Sequence, residues 1–372
     1  VRIGINARFL IDGKMEGFGW YTYEITKRLV QNHPEHEFVF FFDRPYSEKF
    51  IFGSNVTPVI IRPPARHPIL FMLWFDIALP RALKKYKIDV FFSPDGYLSL
   101  QTKVPQIATI HDLNFEYFPE DLPFAARTYL RYFFPKFAKK AQQIITVSNY
   151  SKDDLVKTYA VKAEKITVAW NAASNIFKPI EIEQKQLIRN TYSNGKQYFV
   201  FVGSLHPRKN IPRLLKAFEI YCEDQSNEWD MVIVGEALWN KSDDYAKFTG
   251  SFKDRIHFTG RLALDNLALV VGSASCMTYV PYFEGFGIPL VEAMNCGVPI
   301  ISGNLTSLPE VAGDSAIYCN PFDVNDIAKK MVEVSTDTLL LESLSKKSLV
   351  RSSQFNWDKS AEIVWDSLMK VL

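Results

Sequence analysis

Short apolar runs rich in β-branched and aromatic residues alternate with longer amphipathic runs along almost the whole chain, and few folds accommodate that alternation. It predicts parallel sheets whose strands are joined by crossover helices. In the first half the strand candidates are "RIGINARF", "EFVFFF", "DVFFSP", "QIATIHD" and "QIITVS". Helix candidates follow most of them, such as "GWYTYEITKRLVQ", "DIALPRALKKY" and "NYSKDDLVKTY", the last with Ser148 or Asn149 as its N-cap.

The rhythm breaks at "AWNAASNIFKP" and the polar "IEIEQKQ", then restarts with "YFVFVGS", "DMVIVGE", "RIHFTGR", "ASCMTYVP" and "PIISG". A chain of 372 residues is too long for one ordinary core. The break therefore reads as a linker between two Rossmann-like α/β domains, 1–171 and 172–355, followed by a last helix at 356–372. The repeat is one of architecture; no sequence repeat or low-complexity tract accompanies it.

Residues 1–171 hold 23 basic and 17 acidic residues and the remainder 20 and 24, so the first half is the basic one. The greasiest stretch, "HPILFMLWFDIALPRAL", is interrupted by Asp76 and Pro80, and no run is long enough to span a bilayer. "VRIGINARF" opens as a strand rather than as a signal peptide. Cys222, Cys276, Cys296 and Cys319 form no C-x-x-C pair, which fits buried, inert thiols in a reducing cytoplasm.

Ligands of open parallel sheets sit beyond the carboxyl ends of the strands, and four motifs fall there. In "YFEGFGIPLVEA", Gly285 and Gly287 allow a tight turn and Pro289 suits the first turn of a helix. Such a turn presents amides and a positive dipole end to an anion, a diphosphate for example. Glu292 would lie about one turn inside the helix, placed to accept hydrogen bonds from a ribose. Glu284, before the turn, would face whatever is attached beyond the phosphates. In "VGSLHPRKN" a turn at Gly203 precedes Arg208 and Lys209, cations suited to a diphosphate leaving group. "EGFGWYTYEI" places Gly17 and Gly19 between a strand and a helix, and "ATIHDLNF" ends a strand on His111 and Asp112. Each motif has a plainer reading: a capped surface helix, solvated charge, a simple turn, a hydrogen-bonded histidine.

Taken together, these motifs resemble the GT-B glycosyltransferases of family 4, retaining enzymes that use nucleotide sugars, and the resemblance covers essentially the whole chain. The two glutamates eight apart, Glu284 and Glu292, match that family's signature. The resemblance implies two Rossmann-like domains facing a cleft, with the final helix crossing back to the N-terminal domain through Trp357, Ile363, Val364 and Leu368. It implies catalytic roles for His111, Glu284, Lys209 and Arg208. Donor contacts would come from Gly17, Gly19, Gly203, Ser204, Arg208, Lys209, Gly285, Phe286, Gly287, Ile288, Leu290 and Glu292. It also implies a mannosyltransferase-like subgroup using GDP-mannose in polysaccharide assembly. Two departures stand out: Ser204 where many relatives carry arginine, and Ala172 after Asn171 where relatives commonly show Asn-Gly.

No Asp-x-Asp occurs, so a metal-independent enzyme without cofactor is expected, with the nucleotide sugar as substrate. The expected partners are that donor and a glycan or lipid-linked glycan acceptor, with no nucleic acid; the sequence does not fix the oligomeric state. A sugar-nucleotide epimerase of the same architecture and a non-catalytic nucleotide-sugar-binding protein are the alternatives. Residues 124–140, "FAARTYLRYFFPKFAKK", carry five cations, no acidic residue and interleaved aromatics. They could rest on an anionic membrane at the inner face of the plasma membrane, or their aromatics could face the sheet with the cations in water; core packing is the stronger of the two.

Overall fold

The computed structural model describes residues 1–13, 15, 17–65, 67–224, 226–236 and 250–372. It divides into two compact units, Val1–Asn171 with Asn356–Leu372, and Ala172–Phe355.

Unit 1 is built on a seven-stranded sheet of β1 (Arg2–Asn6), β2 (Glu37–Phe42), β3 (Val56–Ile60), β4 (Val90–Ser93), β5 (Gln106–Thr109), β6 (Gln143–Thr146) and β7 (Ile166–Val168). All neighbours are parallel, in the order β3-β2-β1-β4-β5-β6-β7. The crossovers include α1 (Gly17–Asn32), α2 (Pro68–Leu73), α3 (Leu79–Lys85), α4 (Asn114–Tyr117), α5 (Phe124–Lys140) and α6 (Asn149–Tyr159). Ser148 caps α6 by accepting the Ser151 amide. Both faces of the sheet are covered, which is why "FVFFF" and "VFF" read as continuous apolar runs: every one of these side chains is buried.

Helix α2 runs through a π-helical turn, Trp74–Ala78, into α3. Pro80 supplies no N–H and its ring crowds the carbonyl a turn earlier, and a widened turn relieves both. The helix therefore begins eight residues before the "DIALPRALKKY" segment that the sequence suggested.

Unit 2 repeats the plan with β8 (Tyr198–Val202), β9 (Asp230–Val234), β10 (Ile256–Gly260), β11 (Cys276–Tyr279), β12 (Ile300–Gly303) and β13 (Ala316–Cys319), all parallel in the order β10-β9-β8-β11-β12-β13. Its helices are α7 (Ile182–Tyr192), α8 (Ile211–Glu223), α9 (Leu264–Ser273), α10 (Ile288–Asn295), α11 (Leu308–Ala312), α12 (Val324–Thr336) and α13 (Thr338–Ser352). The four cysteines are buried free thiols, and burial holds each well above the usual thiol range.

The last helix, α14 (Trp357–Met369), packs on α1 within unit 1. Arg28 Nε donates to Asp358 Oδ1 at 2.5 Å, the His33 ring stacks on Trp365 with centroids 3.5 Å apart, and the Ser360 hydroxyl donates to the Trp170 carbonyl. The buried face consists of Trp357, Ser360, Ala361, Val364, Ser367 and Leu368; Ile363, expected on it, lies at its margin. The two serines on that face satisfy their hydroxyls on the Trp170 and Ile363 carbonyls. Among the described residues no helix is long and apolar enough to cross a membrane.

Candidate active site

Each sheet reverses its strand order once, between β1 and β4 in unit 1 and between β8 and β11 in unit 2. At such a switch point the loops diverge and leave a crevice beyond the strand ends. The sequence motifs of unit 2 converge on its switch point.

After β8 the chain turns at Gly203 (φ 153°), runs through Ser204, and makes a short 3-10 turn over Pro207–Lys209. Asn210 follows with a left-handed φ of 63°, its side-chain amide donating to the carbonyls of Val280 (2.9 Å) and Pro321 (2.6 Å). That bracket fixes the start of α8 and so the direction of Lys209. After β11 the chain reaches Glu284, passes Gly287 (φ 97°), which caps α10, and enters the helix through Pro289. Ser307 Oγ donates to the carbonyls of Glu284 and Phe286, holding the turn from outside.

The two loops meet in a buried ionic cluster. Glu284 Oε1 accepts from Arg208 Nη1 at 2.7 Å and from Lys209 Nζ. Tyr279 Oη lies 2.6 Å from Lys209 Nζ and 2.9 Å from Glu284 Oε1. An ammonium can only donate, so the phenol accepts from Lys209 and gives its own proton to Glu284. Burial would raise the Glu284 carboxyl, but Arg208 and Lys209 outweigh it and hold the group down to about 2. Burial, with Glu284 adding to it, pushes the Tyr279 phenol far above its usual range, so it stays a neutral donor. Tyr279 was legible in the sequence only as a strand aromatic; its hydroxyl is what joins the site.

The other unit 2 positions take different roles. Phe286 is buried edge-on against Phe355, and Leu290 is core, its amide already donated to the Gly287 carbonyl at 3.0 Å. Gly285 and Ile288 line the turn into α10. Glu292 lies on the fifth residue of α10, and burial alone raises its carboxyl to about 7. The folded protein therefore binds a proton there between about pH 4.5 and 7 that the unfolded chain does not. Stability from this group is full below the ordinary value of 4.5 and is lost as pH rises through 7. Glu292→Gln should flatten the fall in unfolding free energy between pH 5 and pH 8 by about 2 kcal/mol. Parallel melting curves for the two proteins across that range would contradict the burial of this carboxylate.

In unit 1, His111 follows β5 and packs against Phe18 and Tyr21. Its Nε2 lies 2.8 Å from the Pro94 carbonyl, an acceptor, so Nε2 carries the proton. Burial lowers the imidazole's pKa despite that bond, leaving a neutral ring whose Nδ1 bears the lone pair. Gly17 and Gly19 require a correction: they lie inside the first turn of α1 and do not form a loop ahead of it. A Cβ on Gly19 would stand 2.8 Å from the Phe9 carbonyl, so this glycine serves close packing of the preceding loop, while the space beside Gly17 is open. The β1/β4 switch point of this unit also holds a polar cluster that the sequence did not reveal. Arg8 donates to Asp95 at 2.6 Å, and Asn6 bonds Ser93 and Asp95.

Two family descriptions match the chain: Glycosyltransferase Family 4 over residues 15–174 and Glycosyl transferases group 1 over 183–349. The chain belongs to the family 4 glycosyltransferases. Among curated relatives of this glycosyltransferase, O-antigen chain mannosyltransferase B of Escherichia coli is 26% identical over 357 residues, 92% of this chain and 93% of the relative. O-antigen chain mannosyltransferase RfbU of Salmonella typhimurium is 30% identical over 219 residues, 59% of this chain and 57% of the relative. Among solved structures, Anabaena Alr3699/HepE in complex with UDP-glucose aligns over 99% of both chains with TM-score 0.76 and 17% identity. WaaG, a glycosyltransferase involved in lipopolysaccharide biosynthesis, aligns over 99% of both with TM-score 0.78 and 13% identity. The fold is GT-B. With both halves matching glycosyltransferase families, the epimerase reading has no support.

Proposed function

We propose that this glycosyltransferase moves mannose from GDP-mannose to a glycan or lipid-linked glycan acceptor in surface polysaccharide assembly, with retention at the anomeric carbon and without a metal ion or cofactor. The similarity to two O-antigen mannosyltransferases supports the sugar and the pathway class. The observation that carries the chemistry is the cluster at the unit 2 switch point. Two cations there converge on one carboxylate beside the amino end of α10.

Breaking the bond between the anomeric carbon and phosphate leaves an oxocarbenium-like sugar and a nucleoside diphosphate whose charge grows as the bond lengthens. Fixed donors aimed at that charge lower the barrier without reorganising. Arg208, Lys209 and the amides at 285–288 are the donors we assign. Before donor arrives, Glu284 pairs with both cations and offsets one of their two charges; a diphosphate would take over that pairing and free the Glu284 carboxylate for sugar hydroxyls, while Tyr279 keeps its grip on both side chains. Glu292 is assigned to the ribose. To unit 1 we assign acceptor recognition, and to His111, whose Nδ1 can accept from a hydroxyl, a contact with the donor sugar. Cytoplasmic placement follows from where nucleotide sugars are made.

Titration calorimetry with GDP, UDP and ADP, repeated with a chelator present, tests the donor. We expect GDP to bind at least about 10-fold tighter than UDP and ADP, since selection by hydrogen bonds to a base edge is worth about 1.5 kcal/mol or more, and the chelator to change nothing. Preference for UDP, or loss of binding with the chelator, would overturn the donor or the metal-free reading respectively. The one-bond carbon–proton coupling at the product's anomeric centre decides retention.

A further inference from the structure

The helical segment from α2 through the π turn into α3 buries Trp74, Phe75, Leu79 and Leu83 against unit 1, with Trp74 Nε1 donating to the Ile61 carbonyl at 3.2 Å. Its opposite face is apolar as well. Ile69 (62% exposed), Met72, Leu73 and Ile77 form a row at three- and four-residue spacing along the outside of the helix. A helix that packs one face on a core ordinarily turns polar residues to water, so this row lacks an explanation in the fold. The row continues into exposed Arg81, Lys84 and Lys85.

Helix α5 lies alongside, its Tyr129 ring 5.5 Å from Phe71 of α2. Its aromatics divide: Tyr129, Phe134 and Phe137 are buried, whereas Phe124 and Tyr132 are 72% and 59% exposed. The packing reading of 124–140 thus accounts for only part of them. Arg127 and Lys136 sit over the rings of Phe124 and Tyr132, and Arg131 pairs with Glu116.

Charge is the second observation. Residues 62–87 hold six basic residues and one acidic, and α5 holds five and none. The rest of 1–171 carries 12 basic and 16 acidic residues, so the whole positive excess of this half resides in the two segments that expose apolar side chains. The single acidic residue, Asp76, accepts the Leu100 amide at 2.8 Å and is turned to the protein.

We propose that α2, α3 and α5 form a docking surface for an anionic lipid bilayer, with Ile69, Met72, Leu73, Ile77 and Phe124 entering the headgroup boundary and the flanking cations meeting the lipid phosphates. A ridge of aliphatic side chains matches a fluid interface, which closes around it without a complementary groove, and cations at its border match anionic headgroups. The assignment does not rest on the donor-site reading, and its test is blind to sugar transfer.

The test is flotation of the full chain with vesicles of phosphatidylcholine alone and with about a third phosphatidylglycerol, at low and high salt. The parent should float with the anionic vesicles only, and less in high salt. Changing Arg81, Lys84 and Lys85 to glutamine should weaken the partition about 100-fold. Changing Ile69, Met72 and Ile77 to serine should weaken it at least about 10-fold with unchanged melting temperature. Failure of the parent to float with anionic vesicles would overturn the proposal, as would undiminished flotation of the serine variant. A concentration-dependent dimer in sedimentation velocity that the serine variant abolishes would instead make the row an interface between copies of this chain.

Discussion

Lys209→Ala should lower kcat/KM by about 10²- to 10³-fold, the usual cost of removing one fixed donor from a site of developing negative charge. The lysine is nearly buried, bonded to Tyr279 and Glu284, and held by the Asn210 bracket, so little rearrangement can replace it. Removing it also leaves Arg208 as the cation paired with Glu284. The losses in Lys209→Ala and Glu284→Ala should therefore be strongly non-additive, the double variant being scarcely worse than the poorer single one. Tyr279→Phe should cost at least about 10-fold, mostly in kcat, since the hydroxyl's hydrogen bonds to both Lys209 and Glu284 are lost while the ring still fills its place. Steady-state kinetics on the four variants decide the matter. Additive losses would mean that the cluster does not act as a unit, and unchanged kinetics in Lys209→Ala would remove this site from catalysis.

The strands at the centre of each sheet were legible because both faces are buried and their side chains are therefore uniformly apolar. Three strands were not: β3, β7 and β13, all at sheet edges. Edge strands contact one neighbour, tolerate polar residues and can be short. Pro58 sits inside β3 and removes a donor that an inner strand would need, so a proline there reads as a break. Arg208, Lys209, Glu284 and Glu292 stood out in the sequence because charge next to glycine turns at strand ends is unusual and spaced in a recognisable way, and the first three meet in the fold. Tyr279, Asp95 and Arg8 were missed for a common reason. An aromatic in a strand or a charge near a loop carries no local mark of its partner, and these partners are supplied from elsewhere in the chain: Lys209 for Tyr279, 70 positions away, and Asp95 for Arg8, 87 away.

Gly235→Ala should be among the most destabilising single substitutions in unit 2, costing about 4 kcal/mol or more. Gly235 follows β9 with φ at 146°, a conformation that side chains rarely adopt, and a Cβ built there would lie 1.8 Å from the Gly203 carbonyl oxygen. The obstacle is backbone, held by Gly203 N–H donating to the Val234 carbonyl at 3.0 Å and Leu205 N–H to the Glu236 carbonyl at 2.9 Å, so no rotamer change relieves it. Relief requires the Gly203 turn to move, and that turn leads into Arg208 and Lys209. A fall in Tm on the order of 10 °C is expected, with a loss of nucleotide affinity exceeding what partial unfolding explains. Gly260→Ala is the control: its φ of 68° is equally left-handed, but nothing stands within 4 Å of a Cβ there. That substitution carries only the conformational penalty, about 1–2 kcal/mol. Equal effects from the two would mean that backbone conformation alone, and not the approach of the two loops, governs this corner of the site.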